Sequence, residues 1–230
     1  MDRGLYIAAS GMLAEQVRQD QIANDLANAS TPGYKADRTA QRDFGSLLLA
    51  NSTTGRTVGT QGTRVAADVV QTDWTPQPSR DTGEPLDFAI TGEGFFAVQS
   101  DQGVRYTRDG QFTTSAQGTL ATTDGAVVLG RDGNPIRVGA DGQVDPRKLR
   151  VVALTDATKA GNGLVTGTPA GDAPGTVRAG ALEESGADPA RAMVDMIASL
   201  RAFEAGQRTI TTIDETLQKA VSSVGSLTGQ

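Results

Sequence analysis

The side chains able to do chemistry here form a restricted set, because the chain contains neither histidine nor cysteine. Their absence excludes disulfides, cysteine-ligated zinc or iron–sulfur centres, and Ser-His-Asp or Cys-His nucleophile pairs. It also excludes general base catalysis and pH sensing by histidine. Any reaction would run on carboxylates, Lys, Tyr or Ser. Glu183-Glu184 offers two adjacent carboxylates, but neighbours in a strand point to opposite faces and cannot converge on one substrate. A solvated stretch leading to a helix explains the pair better. Asp132-Gly133-Asn134 has too few spaced carboxylates for a calcium loop and reads as a turn. Arg108 and Asp109, in Tyr106-Thr107-Arg108-Asp109-Gly110-Gln111-Phe112, read as a hairpin tip. Gly92-Glu93-Gly94 opens like a dinucleotide fingerprint, yet it lacks the third glycine. It also runs into Phe95-Phe96-Ala97-Val98, a strand and not the helix whose N-terminus would hold a pyrophosphate. Trp74 precedes Thr75-Pro76-Gln77-Pro78, so it is expected to end a strand and pack under an extended segment, with sugar stacking as the alternative. None of these groups assembles an active site. The expectation is a protein that is not an enzyme and needs no cofactor or metal.

The elements that would position these residues fall in three blocks. Both ends are poor in glycine and read as helix; the middle is rich in Gly and Thr and reads as strand. Near the N-terminus Leu5, Ala8, Met12, Ile22 and Leu26 fit heptad a and d sites, with Glu15 and Gln19 interrupting the seam. Thr31-Pro32-Gly33 stops the helix, since proline pushes the preceding residue out of helical geometry. Near the C-terminus Asp188-Pro189 is a strong helix start. Met193, Met196, Leu200, Phe203, Ile210, Ile213, Leu217, Val221 and Val224 then recur at intervals of three and four, interrupted at Gln207. The polar interruptions either fix register or face solvent. Asp-Gly pairs at 109–110, 124–125, 132–133 and 141–142 punctuate short apolar runs between them.

These patterns predict an α+β protein. Long N- and C-terminal helices would form a coiled-coil-like stem, and a central antiparallel all-β domain would lie between them. The expected divisions are an N-terminal helix and loop over residues 1–35, a flexible connection over 36–63, the β-domain over 64–182, and a C-terminal helix over 183–230. Residues 155–175, with five Gly and two Pro, are expected to be a second flexible stretch.

Composition narrows the class of function. Val, Ile, Leu and Phe number 47 of 230 residues, near the border of what a self-sufficient core needs. Many of them lie on the two terminal stripes. Such helices cannot stand alone in water, because helix stability comes mainly from burying the apolar face, so their stripes need a partner. A head-to-tail contact that does not close would build a filament. Net charge is −6, which gives no expectation of nucleic-acid binding. No apolar run approaches the ~18 residues of a membrane span, and no secretory signal is evident, so direct membrane insertion is not expected.

Specific residues then add what periodicity cannot. Ser10-Gly11-Met12, followed by Ile22-Ala23-Asn24-Asp25-Leu26-Ala27-Asn28-Ala29-Ser30-Thr31-Pro32-Gly33-Tyr34-Lys35, closely resembles the N-terminal signature of bacterial flagellar rod and hook proteins. Gly92-Glu93-Gly94-Phe95-Phe96 with Tyr106 to Phe112 resembles the same family. So do Gly180-Ala181-Leu182-Glu183-Glu184-Ser185, Met196-Ile197 and Arg201-Ala202-Phe203-Glu204. Two positions depart from the family pattern: Asn24-Asp25 stands where two asparagines are usual, and Ser185-Gly186-Ala187-Asp188 where Ser-Asn-Val-Asn is usual.

The resemblance implies a structural subunit of the flagellar basal-body rod. Its partners would be copies of itself, other rod and hook proteins, and the flagellar type III export apparatus, which needs no cleaved signal peptide. Met1-Asp2 and residues 195–204 look more like the proximal-rod paralogue than the distal one, and the chain is short for the hook protein's additional outer domain. The motif positions carried over are Asn24, Leu26, Asn28, Thr31, Pro32, Gly33, Tyr34, Arg108, Asp109 and Gly110. The expected assembly interface is Leu5, Met12, Ile22, Leu26, Met193, Met196, Leu200, Phe203, Ile210 and Leu217. The competing classes are a carboxylate-based enzyme on a β scaffold and a stand-alone adhesin-like β module.

Overall fold

The computed structural model describes residues 3–50 and 57–227, with side chains for 4–38 and 71–222. The elements run α1 (Arg3–Ala27), β1 (Asp37–Ala50), β2 (Thr57–Thr72), β3 (Ser79–Asp81), β4 (Phe88–Thr91), β5 (Phe95–Ser100), β6 (Gly103–Thr107), β7 (Phe112–Thr114), β8 (Leu120–Thr122), β9 (Val127–Val128), β10 (Val151–Gly161), β11 (Leu164–Asp172), β12 (Thr176–Ala179), β13 (Ala181–Glu183) and α2 (Pro189–Leu227). The chain is α+β, with a helix at each end and an antiparallel β region between them. It divides into two units. One holds the described residues within Met1–Leu26, Asp37–Gln71 and Pro189–Gln230; the other is Ala27–Ala36 with Thr72–Asp188.

The second unit is built around a seven-stranded sheet in the order β10-β11-β6-β5-β9-β8-β7. β10 also pairs with β5, so β5, β6, β11 and β10 form a closed ring. β5 shows why its sequence reads as a continuous apolar run. Successive side chains of a strand point to opposite faces, and here both faces are covered. Phe96 and Val98 face one core with Phe88, Leu120 and Leu149. Phe95 and Ala97 face the other with Tyr106, Val152 and Val165. Phe96, Phe88 and Leu120 are wholly inaccessible to solvent, and burying each such side chain contributes roughly 1.5–3 kcal/mol. Trp74, just past β2, is half-buried and meets the Phe95 ring edge-on at 5.6 Å.

Three expectations change. The stretch 155–175 is not irregular: β10 and β11 form a long hairpin across it, turning at Gly161-Asn162-Gly163. Left-handed backbone there, with φ of 88°, 50° and 68°, is what glycine and asparagine permit, and β-branched Thr and Val on both arms favour strand. Strand also occupies the described parts of 36–63. β1 and β2 pair in a two-stranded sheet there, and Thr57, Val58, Thr60 and Thr63 are strand formers. Residues 51–56 of that expected connection lie outside the described residues. The Arg108-Asp109-Gly110 segment is no hairpin tip. It carries the chain from β6, paired with β5 and β11, to β7, paired with β8.

In the first unit α1 and α2 lie antiparallel. Ser199 Oγ donates to Glu15 Oε2 at 2.6 Å. A Cβ on Gly206 would stand 2.8 Å from Met12 Cγ, and one on Gly4 would stand 3.4 Å from Ile213 Cδ1. Residues 209–216 are rich in β-branched Thr and Ile, poor helix formers. Thr209, Thr211, Thr212 and Thr216 each donate a hydroxyl to the carbonyl four residues back, which keeps their polar groups satisfied within the helix.

Candidate functional site

Two features stand out, one in each unit. In the β unit a buried polar cluster forms where residues 35, 75–77, 108 and 183 meet. β13 places Glu183 inward and leaves Glu184 outside, as strand alternation demands. Glu183 is 2% exposed. Its Oε1 accepts from Lys35 Nζ at 2.6 Å and from the Gln77 backbone N–H at 2.9 Å. Its Oε2 accepts from an Arg108 Nη at 2.8 Å. Lys35 Nζ also donates to the Thr75 carbonyl at 2.7 Å. Arg108 donates to the Gly92 carbonyl at 2.7 Å, and its guanidinium lies 5.5 Å from the Phe95 ring centroid. Taking three ions out of water costs several kcal/mol each, so such a cluster persists only when its donors and acceptors are matched. Desolvation lowers the Lys35 pKa, and the adjacent Glu183 carboxylate opposes that shift.

The backbone closes in on the same cluster. Gly33 has φ of 64°, and a Cβ there would stand 2.3 Å from the Arg108 carbonyl oxygen. Gly33 N–H donates to the Glu183 carbonyl. A Cβ on Gly110 would stand only 1.6 Å from the Phe88 carbonyl oxygen. Neither contact leaves room for any other residue. The Asn28 carbonyl accepts from Ser185 Oγ at 2.8 Å, and its side-chain oxygen accepts from Thr31 Oγ1. The Tyr34 carbonyl accepts from Gly186 N–H, and its ring lies under Lys159 Nζ at 4.4 Å. Of the ten motif positions, the structure therefore brings Asn28, Thr31, Gly33, Tyr34 and Arg108 to one node. Gly110 packs beside it on Phe88. Pro32 is half-buried, and Asn24 and Leu26 lie on α1, exposed and half-buried.

Asp109 is half-buried and carries a pKa raised to about 6. Burial is the main cause, Asp124 and Asp87 add to it, and the Gln111 N–H bond to Asp109 opposes it.

In the helix unit the second feature is apolar surface. Ile22 is buried, while Met12, Met196, Phe203, Ile210 and Leu217 are half-buried. Leu5, Met193 and Leu200, expected on the same stripe, are exposed at 37%, 55% and 45%. Tyr6, Leu13, Val17, Val194 and Ile197 are exposed as well. The contacts between the helices fall at Ser199 and Gly206, small residues that periodicity of large apolar groups misses. Of the three polar interruptions, Glu15 bonds within the seam, Gln19 is half-buried with its Nε2 screened from solvent, and Gln207 is exposed.

The sequence reading missed Lys35 and Glu183 as site residues. A usable signal existed in the strand argument itself, which sends one of the adjacent glutamates inward.

The polar node lies where the segments after α1 and before α2 meet, and the two helices leave apolar residues exposed. Residues 5–35 match the flagella basal body rod protein family. Residues 89–152 match the flagellar hook protein FlgE/F/G D1 domain, and residues 178–223 match the flagellar basal body rod FlgEFG protein C-terminal. The chain is 32% identical to the flagellar basal-body rod protein FlgF of Caulobacter vibrioides, over 99% of this chain and 100% of that one. It is 32% identical to FlgF of Salmonella typhimurium, over 94% of this chain and 95% of that protein. It is 29% identical to the flagellar basal-body rod protein FlgG of Bacillus subtilis, over 96% and 99%. The chain belongs to the flagellar basal-body rod protein family.

Proposed function

We propose that this chain is a structural subunit of the flagellar basal-body rod that polymerises through its terminal helices. The observation that carries the reading is the apolar surface left open on a helix pair. Leu13 and Ile197, 64% and 53% exposed, lie on α1 and α2 with Tyr6, Val17, Met193 and Val194. Covering such surface is favourable at roughly 25 cal/mol per Å², and copies of a helical pair can cover it in one another. The outcome would be a coiled-coil-like stem in the assembled axis, with other rod and hook proteins as neighbours.

A non-catalytic role is supported by the polar cluster, whose charged groups are buried and paired with one another. Among the described residues no helix is long and apolar enough to cross a membrane. Export by the flagellar type III apparatus and a proximal position in the rod, with the distal position as the alternative, complete the proposal. The experiment is a deletion strain examined for motility and, by electron microscopy, for its basal bodies. The expected result is loss of motility with truncated rods; intact rods would overturn the reading.

A further inference from the structure

The buried cluster joins the two helix roots. Ser185, three residues before Asp188, bonds the Asn28 carbonyl just past α1. Gly33 and Gly186 bond the Glu183 and Tyr34 carbonyls. Glu183 is held from Lys35 after α1, Gln77 after β2 and Arg108 after β6. The interhelix contacts follow in the same antiparallel order: Glu15 with Ser199, Met12 with Gly206, Gly4 with Ile213. That seam carries few directional bonds: Gly206 and Gly4 receive Met12 and Ile213 by shape alone, and Ser199 donates to Glu15. Directional, charge-assisted bonds in a buried cluster tolerate little displacement.

We propose that Glu183 is a positioning residue, and that its cluster with Lys35 and Arg108 clamps the helix roots so that α1 and α2 pair in a single register. The clamp then decides which side chains the helix pair presents to the next subunit. The proposal deepens the rod reading but is tested on the isolated chain.

The absence of native cysteine makes engineered pairs unambiguous. In full-length protein, Met12→Cys with Gly206→Cys reports the native register. Met12→Cys with Phe203→Cys or with Ile210→Cys reports a slip of one turn either way. Each pair is oxidised in the native background and in the triple substitution Lys35→Met, Glu183→Leu, Arg108→Met, which exchanges the ions for apolar groups of similar size. The native background is expected to favour the 12–206 cross-link over both slipped pairs by roughly tenfold or more, and the triple substitution to lose that preference while keeping a cooperative β-unit melt. A folded triple variant that keeps the preference overturns the proposal. If the triple variant does not fold, Glu183→Asp takes its place, retaining the charge and withdrawing the carboxylate by one methylene; it is expected to raise the slipped products, and an unchanged pattern overturns the proposal. Because no polymer is needed, failure here leaves the rod reading standing, and failure of rod assembly leaves the cross-link result standing.

Discussion

The β unit and the helix unit treat their apolar residues in opposite ways. In the β unit Phe88, Phe96, Leu120 and Leu149 are enclosed, and even its buried ions are paired. In the helix unit Leu13, Val17, Val194 and Ile197 stay exposed along two long helices. The first is complete as a fold. The second leaves apolar surface open, which the proposed rod role assigns to neighbouring subunits. A composition that looks marginal for a globule is therefore an average over a closed domain and an open one.

The comparison breaks most severely at Gly110. Gly110→Ala would drive a Cβ into the Phe88 carbonyl oxygen, and the expected cost is about 4 kcal/mol or more, enough to abolish the cooperative melt seen by circular dichroism. Next is Glu183→Gln, which leaves Lys35 and Arg108 buried without a counter-charge. Chemical denaturation should show a loss of about 3–5 kcal/mol.

Asp109→Asn should act in the other direction, by about 1–2 kcal/mol near pH 7.5. A carboxyl raised to about 6 in the folded protein binds its proton more tightly there than in the unfolded chain. Stability therefore falls as pH rises from about 4 to about 6, and the deficit persists above that window. Asparagine keeps the acceptor for Gln111 N–H and removes the charge, so its advantage should vanish near pH 4, a difference that melts at the two pH values will read. Smallest in stability is Leu13→Glu with Ile197→Glu, both exposed, with a change expected within about 0.5 kcal/mol. Hydrogen exchange on dilute protein sharpens the contrast further: amides of β5 and β6 should be protected far longer than those of α1 and α2.

The helices and the β character of the middle were legible because they rest on local signals. Pro32 and Asp188-Pro189 mark helix ends, and Phe95 to Val98 marks a doubly buried strand. The β10–β11 hairpin was not legible, because its Gly and Thr content resembles a linker until the partner strand supplies the hydrogen bonds. The contacts at Ser199 and Gly206, where the helix backbones approach, were not legible because a search for periodic large apolar residues passes over small ones. Lys35 and Glu183 were hidden for another reason. A charged side chain reads as solvent-facing, and only a tertiary meeting of residues 35, 108 and 183 makes its burial tolerable.

The central claim is that the open helix faces are the assembly surface. Its most direct measurement is electron microscopy of basal bodies from a deletion strain complemented with Leu13→Glu and Ile197→Glu. The account predicts a subunit that melts like the unmodified protein yet leaves rods truncated and cells non-motile. Full-length rods in motile cells carrying that subunit would contradict it.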